Sequence, residues 1–204
     1  RKFTPPKTIA PEVAQRIIAN GAEFKLDFEK KTYTPVSKVF LRRSRDDVFT
    51  PDGNEGHHQE IRYRDGKEFY VHMPQGGSPT ILQRRGDEYR PVAAVKGFRQ
   101  DGTIDGTQKG EFDSGGLGIQ FLPNYYPEFF KGKALTANLI WNDLNDDNVV
   151  QENECEWDKK GYFAAYWGQA CGPDFAIYMA NVESNTYTIY RLDPEFDANG
   201  LPRY

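Results

Sequence analysis

Apolar and polar residues alternate along much of the chain with the two-residue period of a β-strand. Residues 24–28 alternate strictly between apolar and charged side chains, and residues 37–41, 134–141 and 161–168 have the same strand-like character. The pattern predicts an all-β fold built from short antiparallel strands.

The clearest hairpin is predicted between residues 59 and 73. Its centre, Asp65-Gly66, is suited to a two-residue type I′ turn, and such a turn sets the register of the flanking strands. The predicted cross-strand pairs are Arg64 with Lys67, Ile61 with Tyr70, and Gln59 with His72. Residues 81–84 and 89–95 predict a second hairpin around residues 85–87.

One short helix is expected near the N-terminus, over residues 11–19. Pro11 stands at the first helical position, Val13 and Ile17 are four residues apart, and Asn20-Gly21 can serve as a C-terminal cap. We therefore divide the chain into an N-terminal extension with this helix (1–21) and a β-domain (22–204).

Composition supports a turn-rich β-protein. Aromatic residues make up 14% of the 204 residues, with 19 glycines and 13 prolines. The net charge is −4 with both signs interspersed, which gives no indication of nucleic acid as a partner. No apolar run approaches eighteen residues, so no membrane span is expected. The chain starts at Arg1, and we expect it to be a segment of a longer polypeptide.

Residues 143–154 carry the strongest chemical signal in the chain. They match the calcium-loop template D-x-[DN]-x-[DN]-G-x5-E, except that Asn148 replaces the glycine. Asparagine tolerates the left-handed backbone required there. Val150 is expected to anchor the loop to the core. The predicted ligands, which supply the oxygens that Ca²⁺ prefers, are Asp143, Asn145, Asp147, the Val149 carbonyl, Gln151 and Glu154.

The alternative for this stretch is an acidic, solvated turn between strands. Because strand-like residues flank it, we expect a structural site and not a helix–loop–helix sensor. Structural sites of this kind in extracellular modules bind calcium with dissociation constants of about 10⁻⁴ to 10⁻³ M. This affinity is useful outside the cytosol, where calcium is plentiful.

The two cysteines, Cys155 and Cys171, lie outside any C-x-x-C motif. Their even number and the calcium loop directly before Cys155 suggest a disulfide, which would fit an extracytosolic compartment. The alternative is a pair of small buried hydrophobic residues.

A second site is conceivable around His57 and His72. The predicted hairpin places them on one face as diagonal neighbours, where they could hold a metal ion or act in catalysis. Paired surface imidazoles or a core histidine are the alternatives.

The glycine-rich residues 97–118 predict a long loop with a binding surface. The aromatic residues 125–130 either stack on a sugar or pack over the sheet.

An internal repeat links the middle of the chain to its C-terminal part. Residues 68–73 match residues 174–179, and residues 80–84 match residues 188–191, with equivalent residues about 106 apart. This distance is about two propeller blades of forty to fifty residues, so we expect a complete or partial β-propeller, with chance similarity as the alternative.

Several stretches of this sequence, including the predicted calcium loop, resemble those of large secreted bacterial β-propeller proteins that carry an EF-hand-like calcium loop within a blade. The resemblance is carried by residues 141–154, 166–168, 172–178, 190–192 and 199–202, and a fainter match covers residues 56–96. It implies a bladed architecture and brings no catalytic residues.

Together these features predict a calcium-stabilised, extracytosolic β-propeller that acts as a non-catalytic scaffold or binding module. Its partners would be other protein chains or an extracellular polymer, and it would act alone or as a subunit of a larger assembly. The alternative is a polysaccharide-acting enzyme with a site around His57, His72 and residues 97–118. A carrier subunit of an electron-transfer complex is disfavoured, because the sequence has no haem or cluster motif.

Overall fold

The structure, a computed structural model, describes residues 15–41, 47, 49–51, 58–73, 79–97, 127–133, 138–158, 169–183 and 186–204. These residues form fourteen strands and two short 3-10 helices, and they contain no α-helix. The fold of this part is all-β with antiparallel sheets, as predicted. The 3-10 helices span Glu128–Phe130 and Glu152–Glu154. The strands are β1 (Arg16–Ala19), β2 (Ala22–Asp27), β3 (Thr32–Lys38), β4 (His58–Arg64), β5 (Lys67–Met73), β6 (Thr80–Arg85), β7 (Glu88–Gly97), β8 (Asn138–Asn142), β9 (Cys155–Asp158), β10 (Gln169–Cys171), β11 (Ile177–Glu183), β12 (Thr186–Leu192), β13 (Glu195–Phe196) and β14 (Pro202–Arg203).

The two predicted hairpins are present. In the β4–β5 hairpin, Asp65 and Gly66 have φ angles of 50° and 74°, as a type I′ turn requires. All three predicted cross-strand pairs of this hairpin are confirmed. Strands β6 and β7 pair around a turn in which Gly86 has a φ of 60°.

The predicted N-terminal helix is wrong over its described part. Arg16–Ala19 is a strand that pairs with β2, with Ala19 opposite Ala22. Asn20 and Gly21 have φ angles of 50° and 70°, so they form a hairpin turn and not a helix cap. The predicted boundary after residue 21 thus lies between two paired strands. Residues 11–14 lie outside the described residues.

Four sheets make up the described part. Strands β4 to β9 form one six-stranded sheet in which chain neighbours are also spatial neighbours. Two three-stranded sheets, β1–β2–β3 and β10–β11–β12, and the β13–β14 pair complete the molecule. The described residues show no closed propeller, and none of their helices is long and apolar enough to cross a membrane.

Both faces of the six-stranded sheet are buried. Because side chains alternate along a strand, Phe69 and Val71 lie on one face and Tyr70 on the other. The first face packs against the β10–β12 sheet and the C-terminal segment, in one apolar cluster. The opposite face carries two further clusters, one around Tyr70 and one around Trp141.

The two halves of the internal repeat contact each other in the first of these clusters. Both halves fold as antiparallel strand pairs, β5–β6 and β11–β12. The equivalent residues Phe69 and Phe175 contact each other edge to face, with ring centroids 5.2 Å apart. The repeat therefore contributes matching residues to one shared core.

A polar network fixes the β1–β3 sheet to the six-stranded sheet. The Arg16 guanidinium donates two hydrogen bonds of 2.9 Å to the Glu68 carboxylate and also contacts Glu23. The hydroxyls of Tyr63 and Tyr89 donate to the same carboxylate. Burial alone would raise the pKa of Glu68, but these donors outweigh it and hold the pKa at about 2.

Candidate functional site

The predicted calcium loop connects two neighbouring strands of the six-stranded sheet. It leaves β8 after Asn142 and enters β9 at Cys155, directly opposite Trp141. Val150 is 4% exposed and packs in the cluster around Trp141, which confirms its predicted role as the anchor of the loop. The element before the loop is a strand, as expected from residues 134–141, and the strand predicted at residues 161–168 lies outside the described residues.

The side chain of Asp143 organises the first half of the loop. Its Oδ1 accepts a 2.7 Å hydrogen bond from the Asp146 amide, and its Oδ2 accepts a 3.2 Å bond from the Asn148 amide. Asn148 has a φ of 63°, which confirms the left-handed backbone expected at the glycine position. The Oδ1 atom of Asn148 is buried and has no hydrogen-bond partner among the described residues.

Glu154 brings the end of the loop back to its beginning. Its Oε1 accepts a 2.8 Å hydrogen bond from the Leu144 amide, and its Oε2 accepts a 3.0 Å bond from the Trp141 indole. The first and last predicted ligands, Asp143 and Glu154, are thus held at the same end of the loop.

These two carboxylates are in an unfavourable electrostatic position. Asp143 is 2% exposed and Glu154 is 4% exposed, and no cationic side chain in the described part of the chain is ion-paired with either. Burial raises the pKa of Asp143 to about 6, against the two amide hydrogen bonds, and the nearby charges of Glu154 and Asp146 act in the same direction as burial. A buried carboxylate without a compensating charge is costly.

The remaining predicted ligands form a separate, solvent-exposed group. Asp147 Oδ2 accepts hydrogen bonds from the side-chain amides of Asn145, at 2.9 Å, and Gln151, at 2.6 Å. The amide of Val149 donates a 2.7 Å bond to Asp147 Oδ1. Accordingly, no three His, Cys, Asp or Glu side chains within the described ranges are grouped closely enough to hold a metal ion.

The C-terminal segment clamps the base of the loop. Asn142 and Tyr204 exchange two hydrogen bonds of 2.9 Å between the Asn142 side chain and the Tyr204 backbone. Arg203 donates a 2.5 Å bond to the backbone carbonyl of Asp143. Sequence reasoning missed these contacts, because no local pattern links residues about sixty positions apart.

Of the two histidines in the predicted second site, the structure describes only His72. His72 is 2% exposed within β5, and burial lowers its pKa to about 4. Its neutral imidazole lies 6.3 Å from the Tyr70 ring, a position that favours the core-histidine alternative. His57 and residues 98–118 lie outside the described residues.

The predicted disulfide between Cys155 and Cys171 is not formed, and both residues are free thiols. They belong to different apolar clusters: Cys155 packs near Trp141, and Cys171 packs near Phe175. Burial raises the pKa of the two thiols to about 12 and about 11. The two half-buried cysteines are therefore closer to the alternative of small apolar side chains than to a disulfide.

The described part of the aromatic segment 125–130 packs over the sheet, which was one of the two alternatives predicted for it. Phe130 is fully buried and meets Trp157 edge to face, with ring centroids 5.0 Å apart. Phe129 lies against the same cluster. Residues 125 and 126 lie outside the described part of the chain.

Comparisons of this chain with protein-family models, with curated proteins and with solved structures found no match, so its function rests on the geometry above.

Proposed function

We propose that residues 143–154 bind Ca²⁺ and that the ion stabilises an extracytosolic β-scaffold or binding module without catalytic activity. The observation that carries the proposal is the pair of buried carboxylates, Asp143 and Glu154, which meet at the base of the loop without a cationic partner among the described residues. A divalent cation would offset the cost of burying two negative charges together.

Oxygen atoms suitable for calcium occupy every ligand position of the loop. Asp143 and Glu154 would supply the buried carboxylates, and the exposed group of Asn145, Asp147 and Gln151 would supply further side-chain oxygens. The Val149 carbonyl would complete the set. An all-oxygen set of this size suits calcium and is less suited to transition metals, which favour nitrogen and sulfur ligands.

The bladed architecture is part of the same proposal. We infer that the β5–β6 and β11–β12 pairs are equivalent units of a partial propeller, because each half of the sequence repeat folds as one antiparallel pair. A scaffold of this kind would bind other protein chains or an extracellular polymer. It would act where calcium is plentiful, in a secreted, periplasmic or cell-surface location.

The test is a thermal-unfolding series on protein stripped with chelator. At about 10 mM calcium, ten- to a hundredfold above the expected dissociation constant, the melting temperature should rise by roughly 3–10 °C. Glu154→Gln should abolish this rise. In chelator, the same variant should be at least as stable as the wild type, because it removes a buried charge.

The matched control is Glu156→Gln, which removes an exposed carboxylate from β9, two residues after Glu154. This variant should keep the full response to calcium. A melting temperature unaffected by calcium in the wild type, or an equal rise in Glu154→Gln, would rule the site out.

A further inference from the structure

A polar pocket of about 460 Å³ lies beside the loop, among the ends of β5 and β6 and the C-terminal segment. Its volume is within the usual range for small-molecule sites. Its polar lining consists of Lys67, Gln83, Arg85, Asp143, Asp146, Asn199 and Arg203. Asp143 is 2% exposed and is also a predicted calcium ligand, so this pocket and the loop share one wall.

Two cations meet on one face of the sheet at this pocket. Lys67 begins β5 and Arg85 ends β6, and both are two residues beyond the cross-strand pair of Phe69 and Gln83. Side-chain alternation therefore places Lys67 and Arg85 on the same face of adjacent strands. Like charges in this arrangement destabilise a sheet, and an anion between them would relieve the repulsion.

The hydrogen bonds of both cations leave donors for a ligand. The Lys67 ammonium donates to the carbonyl of Asn199, and no carboxylate in the described ranges is ion-paired with it. Arg85 donates from Nε to Gln83, at 2.8 Å, and from Nη1 to Asp146. With the two side chains 28% and 44% exposed, the Arg85–Asp146 pair contributes little stability, so a ligand can replace it at low cost.

The pocket also offers groups that recognise hydroxyls. Gln83 carries a side-chain amide and is 8% exposed, and the Asp146 carboxylate can accept hydrogen bonds. The described lining includes no aromatic ring, the usual platform for a neutral sugar. The combination suits a ligand with one carboxylate and several hydroxyl groups.

We propose that this pocket binds a small hydroxylated carboxylic acid of the size of a uronic acid. The ammonium of Lys67 and the guanidinium of Arg85 bind its carboxylate, and Gln83 and Asp146 bind its hydroxyls. This inference goes beyond the proposed calcium function and does not require it, because none of the four binding groups is a predicted calcium ligand, although Asp143 lines both sites. The acid is either free or part of an acidic polymer.

Isothermal titration calorimetry with D-galacturonate tests the proposal, with D-galactose as the neutral analogue and inorganic sulfate as the plain anion. Each titration is run in chelator and again with calcium. The titration in chelator tests the pocket without the calcium site, because Asp143 lines both. Galacturonate should bind the wild type in both buffers, and it should bind at least tenfold more tightly than galactose or sulfate.

Lys67→Gln and Arg85→Gln should each weaken galacturonate binding about tenfold or more, with unchanged near-ultraviolet circular dichroism. The matched control Lys38→Gln removes an equal charge from the exposed strand β3 and should bind normally. If trigalacturonate binds more tightly than the monomer, the natural ligand is part of an acidic polymer. If the two bind equally, the natural ligand is the free acid. Equal affinities for galacturonate and galactose, or normal binding by both pocket variants, would overturn the proposal.

Discussion

At the scale of single residues, Asn148 shows how the loop departs from its template at a structural cost. The backbone adopts the left-handed conformation that glycine would adopt freely, and the side chain adds a buried oxygen that has no partner in the described part of the chain. The sequence alone predicted the conformation, because few residues other than glycine tolerate it. It could not predict the unpartnered oxygen, which depends on what surrounds the loop.

This combination predicts opposite effects for two substitutions. Asn148→Gly should leave the free energy of unfolding unchanged or higher, because it removes both the backbone strain and the unpartnered oxygen. Asn148→Ala should lower it by about 1 kcal/mol, because alanine is strained at positive φ. Urea denaturation of the calcium-free protein measures both, and an alanine variant as stable as the glycine variant would contradict this account of the loop.

At the scale of elements, the prediction for one of two similar turns was right and the prediction for the other was wrong. Asp65-Gly66 lies between clearly alternating strands, and both its turn type and its register were predictable. Asn20-Gly21 makes the same kind of turn, but Pro11 and the four-residue spacing of Val13 and Ile17 matched a helix before it. The pairing of β1 with β2 decided the outcome, and pairing is a tertiary effect that overrides weak local preference.

The attachment of the β1–β3 sheet predicts a specific acid sensitivity. The pKa of Glu68 is about 2 in the folded state, below the ordinary value of 4.5, so its contribution to stability is complete above pH 4.5 and is lost as the pH falls toward 2. The Glu68 side chain is 14% exposed, and the shift corresponds to about 3 kcal/mol.

Unfolding free energies measured between pH 6 and pH 2 check this expectation. Glu68→Gln should show a clearly shallower decline with acid than the wild type, since the titrating group is gone. Glu60→Gln, which removes an exposed carboxylate from the neighbouring strand β4, should keep the wild-type slope. The same slope in all three proteins would show that Glu68 does not control the acid response.

At the scale of the whole molecule, alternation and turn residues predicted most of the strands, whereas the stacking of the sheets was not predictable. The repeat identified Phe69 and Phe175 as equivalent, but only the structure shows that the two rings touch. The hydrogen bonds between Asn142 and Tyr204 likewise could not be predicted from the sequence. Contacts between distant residues leave no periodic pattern along the chain.

The shared core predicts a single cooperative unfolding transition. Phe69 is fully buried, and Phe69→Ala should lower the free energy of unfolding by about 3–5 kcal/mol. Trp141 lies in a cluster on the opposite face of the six-stranded sheet, and Trp157 packs against the same cluster, so fluorescence measured in a Trp167→Phe background reports on a different core. Fluorescence and circular dichroism should shift to the same new midpoint, and a fluorescence midpoint that stays at the wild-type value would show that the two cores unfold separately.

The order of strands in the six-stranded sheet also bears on how fast the protein folds. Each of its strands pairs with the strand adjacent in the chain. The connections within β4–β7 are short, so these four strands can pair through loop closures with a low entropic barrier, whereas the pairing of β7 with β8 must close the long connection from Gly97 to Asn138. The Phe69–Phe175 contact joins residues about 106 positions apart and must wait for a much longer closure. We therefore expect a fast kinetic phase in which β4–β7 pair, and a slower one in which β8, β9 and the β10–β12 sheet join them.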